Sequence, residues 1–205
     1  VSGANRTYQV AMYRRTIPIP IGPHHFALHI TDAGTQRSGI SRQPLYVIGY
    51  DPNQLGMSDV RLASGIDPAT EGSFIRSGRR LIPNPAGVFS PAKPVMLYFE
   101  IYNLSKNTEG RTRLSIEYTI FPLSGGDQPV VSMIGAQTVK KEEGREFALL
   151  QEEEGRQTDL QRDIAIDMSQ AQPGRYALQV TITDKLRRFR GEQEASGCVE
   201  RGSSQ

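Results

Sequence analysis

The stretch Pro94–Tyr118, PVMLYFEIYNLSKNTEGRTRLSIEY, constrains the fold more than any other part of this chain. Two runs dense in β-branched and aromatic residues flank a polar Asn/Ser/Lys/Thr/Gly connection. That is the pattern of two neighbouring antiparallel strands. Val95–Tyr102 is apolar or aromatic on both faces apart from Glu100, so it is expected to be a central strand covered on both sides. The second run alternates strictly. Leu114, Ile116, Tyr118 and Ile120 share one face; Arg113, Ser115, Glu117 and Thr119 share the other. Tyr176, Leu178, Val180 and Ile182 repeat the pattern, and Ile164, Ile166 and Met168 oppose Asp163, Ala165 and Asp167. Period-two alternation puts one face in a core and the other in water. Each large apolar side chain so buried contributes on the order of 1.5–3 kcal/mol.

Thirteen prolines and twenty glycines fall mostly between these short runs, which points to many strands and few helices. A hydrophobic fraction of 37% over 205 residues suits strands that bury one face. Net charge is +2, too small for the dense basic stripe of a nucleic-acid binder. A single cysteine, Cys198, excludes an internal disulfide. No apolar run approaches the roughly 18–20 residues that span a bilayer as a helix. The chain opens on Val1, read as a processed or trimmed start such as signal-peptide removal leaves.

Pro23-His-His-Phe-Ala-Leu-His-Ile-Thr-Asp32 echoes Pro173-Gly-Arg-Tyr-Ala-Leu-Gln-Val-Thr-Ile-Thr-Asp184, the first copy two residues shorter. A polar turn and a further strand-like run follow each, Gly39–Tyr50 and Phe189–Ala195. Residues 1–52 are therefore expected to hold an extended arm and the last strands of an earlier sandwich, or strands that pair onto the main one. The main β-sandwich is expected over 53–195, with the linker in Asp51-Pro-Asn-Gln-Leu-Gly56. The acidic stretch Lys140–Arg162 has helical propensity, but Gly144 and Gly155 interrupt it, so a strand and an exposed loop are expected. From Gly191 onward the chain turns polar and is expected to be mobile, with 196–205 a free tail. Ala171-Gln-Pro-Gly-Arg-Tyr176 is either a tyrosine corner of the immunoglobulin and fibronectin kind or an ordinary hairpin entry.

Ser58-Asp-Val-Arg-Leu-Ala63, Phe74-Ile-Arg-Ser-Gly-Arg-Arg-Leu-Ile-Pro-Asn-Pro85, Leu97-Tyr-Phe-Glu-Ile-Tyr-Asn-Leu104 and Pro173-Gly-Arg-Tyr176 occur in that order. Together they resemble the C-terminal β-rich region of bacterial GWxTD-domain proteins, from about Leu45 to Asp184. The Gly-Trp-x-Thr-Asp motif is absent, since the chain has no Trp. The resemblance implies a sandwich fold and an exported, extracytoplasmic bacterial setting. It implies no catalytic residues.

The candidate chemistry is thin. His25 and His29 share a strand face and His24 faces away, with no third metal ligand at the right parity. A solvated strand edge is the alternative, and no metal or cofactor is expected. Glu100, in its apolar run, either joins Glu117 in acid–base work or forms a cross-strand ion pair with Arg111 or Arg113. Arg76, Arg79 and Arg80 around Gly78 could grip an anion or form a solvated hairpin. No Gly-x-Ser-x-Gly elbow or phosphate loop is present. The arm Thr7–Ile21 is apolar, and its Ile-Pro alternation cannot sustain a hydrogen-bond ladder. It would lie across a partner or fold back on its own sandwich. The candidate partner-binding residues are Tyr13, Arg14, Arg15, Ile17, Ile19 and Ile21 in the arm, and Arg187, Arg188, Phe189 and Arg190 in a basic turn that could also meet an anionic lipid surface.

These residues predict an all-β, immunoglobulin/fibronectin-like antiparallel sandwich with extra N-terminal strands. Its expected role is that of a non-enzymatic accessory subunit docked on protein partners in a larger assembly outside the bacterial cytoplasm, a membrane-bound assembly included. The alternatives are a carbohydrate- or peptide-binding module using a concave patch of Tyr98, Tyr102 and Tyr118, and a carboxylate hydrolase using Glu100 and Glu117.

Overall fold

A computed structural model describes residues 12–123, 137–140, 147–187 and 189–199. Among the described residues all regular elements are strands. They are β1 (Gly22–Thr31), β2 (Ser38–Val47), β3 (Gly56–Met57), β4 (Arg61–Pro68), β5 (Ile75–Arg76), β6 (Arg79–Pro83) and β7 (Val88–Phe89). There follow β8 (Val95–Tyr102), β9 (Thr112–Pro122), β10 (Gln137–Lys140), β11 (Phe147–Gly155), β12 (Leu160–Ile166), β13 (Gly174–Asp184) and β14 (Phe189–Val199). The chain divides into two compact units, Val1–Tyr50 and Asp51–Gln205.

The first unit contains a two-stranded antiparallel ribbon, β1 with β2, in register from Gly22↔Val47 to Thr31↔Ser38. The second is a two-layer β-sandwich. One sheet runs β12-β8-β4-β6-β5, with β3 also beside β8; the other runs β10-β11-β9-β13-β14-β7. Pairing in both is antiparallel except for the parallel contact of β14 with β7 at Cys198↔Val88 and Val199↔Phe89.

The inward faces follow the alternation. Leu97, Phe99 and Ile101 of β8 meet Leu114, Ile116 and Tyr118 of β9 and Leu178, Val180 and Ile182 of β13 in one core. Phe99 and Tyr118 lie tilted across the two layers, ring centroids 6.3 Å apart. An apolar cavity of about 40 Å³ remains beside Leu62, Phe89, Val95, Ile120, Met168 and Tyr176. It is partly open to the surface, and its lining is almost wholly apolar.

Three expectations are corrected. The strands of Pro94–Tyr118 are consecutive but not neighbours: β8 pairs with β12, β4 and β3, while β9 pairs with β11 and β13. Residues 103–111 carry the chain from one sheet to the other, so that β8 and β9 meet face to face across the core rather than edge to edge. The outer face of β9 is not simply wet, since Ser115 and Thr119 are buried there. The polar C-terminal stretch is not a free tail through Val199, because β14 holds to β13 from Asp184↔Phe189 to Gly174↔Val199. The acidic run Glu152–Glu154 lies in β11, as a strand.

Candidate functional site

The densest polar cluster forms on the outer face of β8. Odd-numbered residues of this strand enter the core, so Tyr98, Glu100 and Tyr102 point the other way. The β5–β6 hairpin covers them. Its two turn residues, Ser77 and Gly78, have φ of 46° and 76°. Positive φ at both central positions is the mark of the tight turn that matches strand twist. That turn delivers Arg76 and Ser77 over β8.

The Glu100 carboxylate is held from every side. Arg76 donates through Nε to Oε1 at 2.9 Å and through Nη2 to Oε2 at 2.6 Å. Tyr98 donates its hydroxyl to Oε1 at 2.5 Å, Ser77 donates to the same oxygen at 2.9 Å, and Tyr102 donates to Oε2. The backbone is tied as well: Glu100 N donates to Ser58 Oγ and Ser58 N donates to Glu100 O, both at 2.9 Å. Arg76 holds the Glu100 carboxyl well below the usual carboxylate range, outweighing the opposing effect of burial. In return Glu100 raises the Arg76 guanidinium further above its ordinary value. Burial, helped by the adjacent carboxylate, pushes the Tyr102 phenol up to about 12, and raises Tyr98 for the same reasons.

This geometry decides what the cluster can do. A carboxylate with a depressed pKa and five donors directed at it is a poor general acid and a poor nucleophile. It is suited to fastening a hairpin across a sheet. The ion-pair partner is Arg76, not Arg111 or Arg113 as the sequence suggested. Those two pair with Glu109 at 3.6 Å and Glu154 at 3.3 Å, both exposed. Glu117 lies on β9 in the opposite sheet, so it is no strand neighbour of Glu100. Of the basic trio, Arg76 is committed to Glu100, and Arg79 pairs with Asp163 at 3.4 Å.

The tyrosines do not form an open aromatic platform, because Tyr98 and Tyr118 are fully buried. The Tyr118 hydroxyl has no hydrogen-bond partner among the described residues, and burial pushes its pKa strongly up. Tyr176 donates its hydroxyl to Gln172 O at 2.5 Å, four residues back, which ties the entry to β13.

Asn103 adopts a left-handed φ of 62°, a conformation its short polar side chain tolerates. Its amide Nδ2 donates to Asp51 O and Gln54 O, and its backbone N–H donates to Asp159 Oδ1. Each residue of Tyr98-Phe-Glu-Ile-Tyr-Asn103 thus has a role in the frame: core, clamp or loop anchor. The sequence pattern assigned none of Arg76, Ser77, Tyr98 and Tyr102 to Glu100; it placed the two tyrosines in a ligand patch with Tyr118. The one legible signal was the Ser-Gly turn between two arginines.

The arm lies exposed. Tyr13 is 84% and Ile21 72% accessible, and Met12, Ile17 and Ile19 are exposed too. Arg14 and Arg15 are also exposed. In the basic turn Lys185 pairs with Glu152 at 3.3 Å, while Leu186 and Arg187 are exposed. Arg188 and the side chains of Phe189 and Arg190 lie outside the described residues; the backbone of the last two opens β14. His24 Nε2 sits 2.7 Å from Pro20 O, and His25 and His29 share the opposite face of β1. Among the described residues no group of three or more His, Cys, Asp or Glu side chains could hold a metal ion.

No protein-family model matches the chain and no curated protein matches it, so its chemistry is read from the geometry alone.

Proposed function

We propose that this chain is a non-catalytic accessory subunit that docks on a larger extracytoplasmic bacterial assembly through its N-terminal arm. The observation that carries this reading is the exposed apolar arm, with Met12, Tyr13, Ile17, Ile19 and Ile21 all open to solvent on a segment that proline keeps from pairing as a ladder. Arm segments of this kind bind by laying alternate side chains into a partner groove. The polar cluster supports the same reading, because its carboxylate is saturated by donors and serves the frame. The basic turn around Arg187 offers a second contact, to acidic protein or to anionic lipid at a membrane. The immunoglobulin-like character of the sandwich belongs to this proposal: the terminal strand β14 meets β7 in parallel, and Tyr176 caps the entry to β13. So does the resemblance to the GWxTD-domain sandwich and the exported location it implies.

Affinity capture from native membranes and periplasm tests it. The chain should bring down a defined partner, and a Tyr13→Asp, Ile17→Asp, Ile21→Asp triple variant should lose it while the 51–205 unit melts as before. Recovery of a stable monomer with nothing bound would overturn the reading. So would a partner retained in full by the triple variant.

A further inference from the structure

The ribbon β1–β2 and the hairpin β13–β14 are built alike. The matched segments Pro23–Asp32 and Pro173–Asp184 each become the first strand of an antiparallel pair. An aspartate closes the following turn in the same way in each, Asp32 one residue past β1 and Asp184 as the last residue of β13. Asp32 Oδ1 accepts the N–H of Gly34 at 2.8 Å, and Asp184 Oδ1 accepts the N–H of Leu186 at 2.9 Å, both two residues on. The aligned apolar positions fall on one face in both: Phe26, Leu28 and Ile30 against Tyr176, Leu178 and Val180. Opposite them on β2 stand Gln43, Ser41 and Gly39, and opposite them on β14 stand Gly197, Ala195 and Gln193, small or polar in each case.

The surroundings differ. Val180 is 0% and Leu178 7% exposed, packed under β8 and paired on the far edge to β9. Ile30 is 62% and Leu28 44% exposed, and among the described residues β1 pairs with β2 alone. A lone two-stranded ribbon is at best marginally stable in water, and this one shows an apolar face.

We infer that β1–β2 is the closing hairpin of another β-sandwich, whose remaining strands belong to the same polypeptide upstream of Val1. The occupant of the open side is then a strand of β9 type on the edge of β1 that no described residue pairs, with a sheet of β8 type over Phe26, Leu28 and Ile30. A second copy of the ribbon fits less well. Edge-to-edge pairing of two β1 strands would leave the apolar face uncovered, and face-to-face stacking would leave both edges open. Only a sandwich body supplies both, as it does for β13. The tandem arrangement explains why the first strand of the next sandwich follows Val47 after so short a link. This inference does not rest on docking of the arm: an upstream sandwich could close over the ribbon whether or not a separate partner binds.

Hydrogen exchange of residues 22–47 tests it, compared between the 205-residue chain and the polypeptide extended upstream as encoded. In the shorter chain the ribbon amides should exchange within seconds. In the extended one they should slow by about 100-fold or more, toward the protection of β13. Leu28→Asp in the extended polypeptide should restore fast exchange there while β13 stays protected. Ile40→Asp, on the opposite ribbon face, should not. Leu28→Ala should give a partial loss, which keeps the test readable if the charged variant misfolds. Four results would overturn the inference: no coding sequence upstream, no slowing on extension, full protection already present in the shorter chain, or protection that grows with its concentration. The last would assign the face to a second copy.

Discussion

Two hairpins with one sequence pattern meet opposite fates in this molecule. In β13–β14 the aromatic, leucine and aliphatic positions are sealed; in β1–β2 the matching positions are half-buried or open. Alternation therefore specifies which face is apolar but not whether anything covers it. Stability comes from the neighbours a strand finds, since burial and not pattern removes apolar area from water.

The contrast is most directly broken by matched truncations. Leu178→Ala should destabilise the 51–205 unit by about 3 kcal/mol, within the range for buried leucines. Leu28→Ala in the same 205-residue chain should move that unit's stability by less than about 0.5 kcal/mol. Equal effects in denaturant melts would erase the distinction.

The same comparison holds for charge. Glu100→Gln leaves Arg76 against a neutral amide and should cost about 2 kcal/mol, less than a fully buried pair because the guanidinium keeps some contact with water. Glu154→Gln removes an exposed pair with Arg113 and should cost no more than about 0.5 kcal/mol.

Titration sharpens the point. Glu100 has a lowered pKa in the folded chain, so its contribution is fully present above the ordinary carboxylate value of 4.5 and is lost as pH falls below it. Tyr102 has a raised pKa, so its contribution is present below the ordinary value of 10.0 and is lost as pH rises from there through about 12. Stability against pH should lose much of its acid slope in Glu100→Gln, leaving the smaller share of other hydrogen-bonded carboxylates such as Asp167, and part of its alkaline slope in Tyr102→Phe.

Two smaller effects follow. Tyr118→Phe removes a buried hydroxyl that has no partner among the described residues, and should leave the 51–205 unit unchanged or up to about 1 kcal/mol more stable. Gly78→Ala meets open space, so its cost is conformational only, about 1 kcal/mol for the positive φ of 76°. A larger loss would mean that the hairpin fastens β8 less forgivingly than its geometry shows.

Much of the sandwich was legible because each of its strands carries its own period. Leu114, Ile116, Tyr118 and Ile120 alternate on β9 whichever strand lies beside them, and so do the apolar residues of β12 and β13. The two-sided character of β8 was legible too, and its second cover proved to be the Arg76–Ser77 turn. The clamp was not legible. Arg76 stands 24 residues before Glu100 and reaches it only through a hairpin laid across the sheet. Arg111 and Arg113 were nearer in sequence and in a promising register, but the chain changes sheets between β8 and β9.

By itself, the sequence determined that this protein is all-β and which side of most core strands is dry, because side-chain direction is set by the pleat of a strand's own backbone. Only the tertiary structure decided which strands pair, that β8 and β9 face each other across a core, and that Glu100 is neutralised by Arg76. Pairing rests on hydrogen bonds and contacts between segments far apart in the chain, and a local pattern carries no record of the neighbour it will meet.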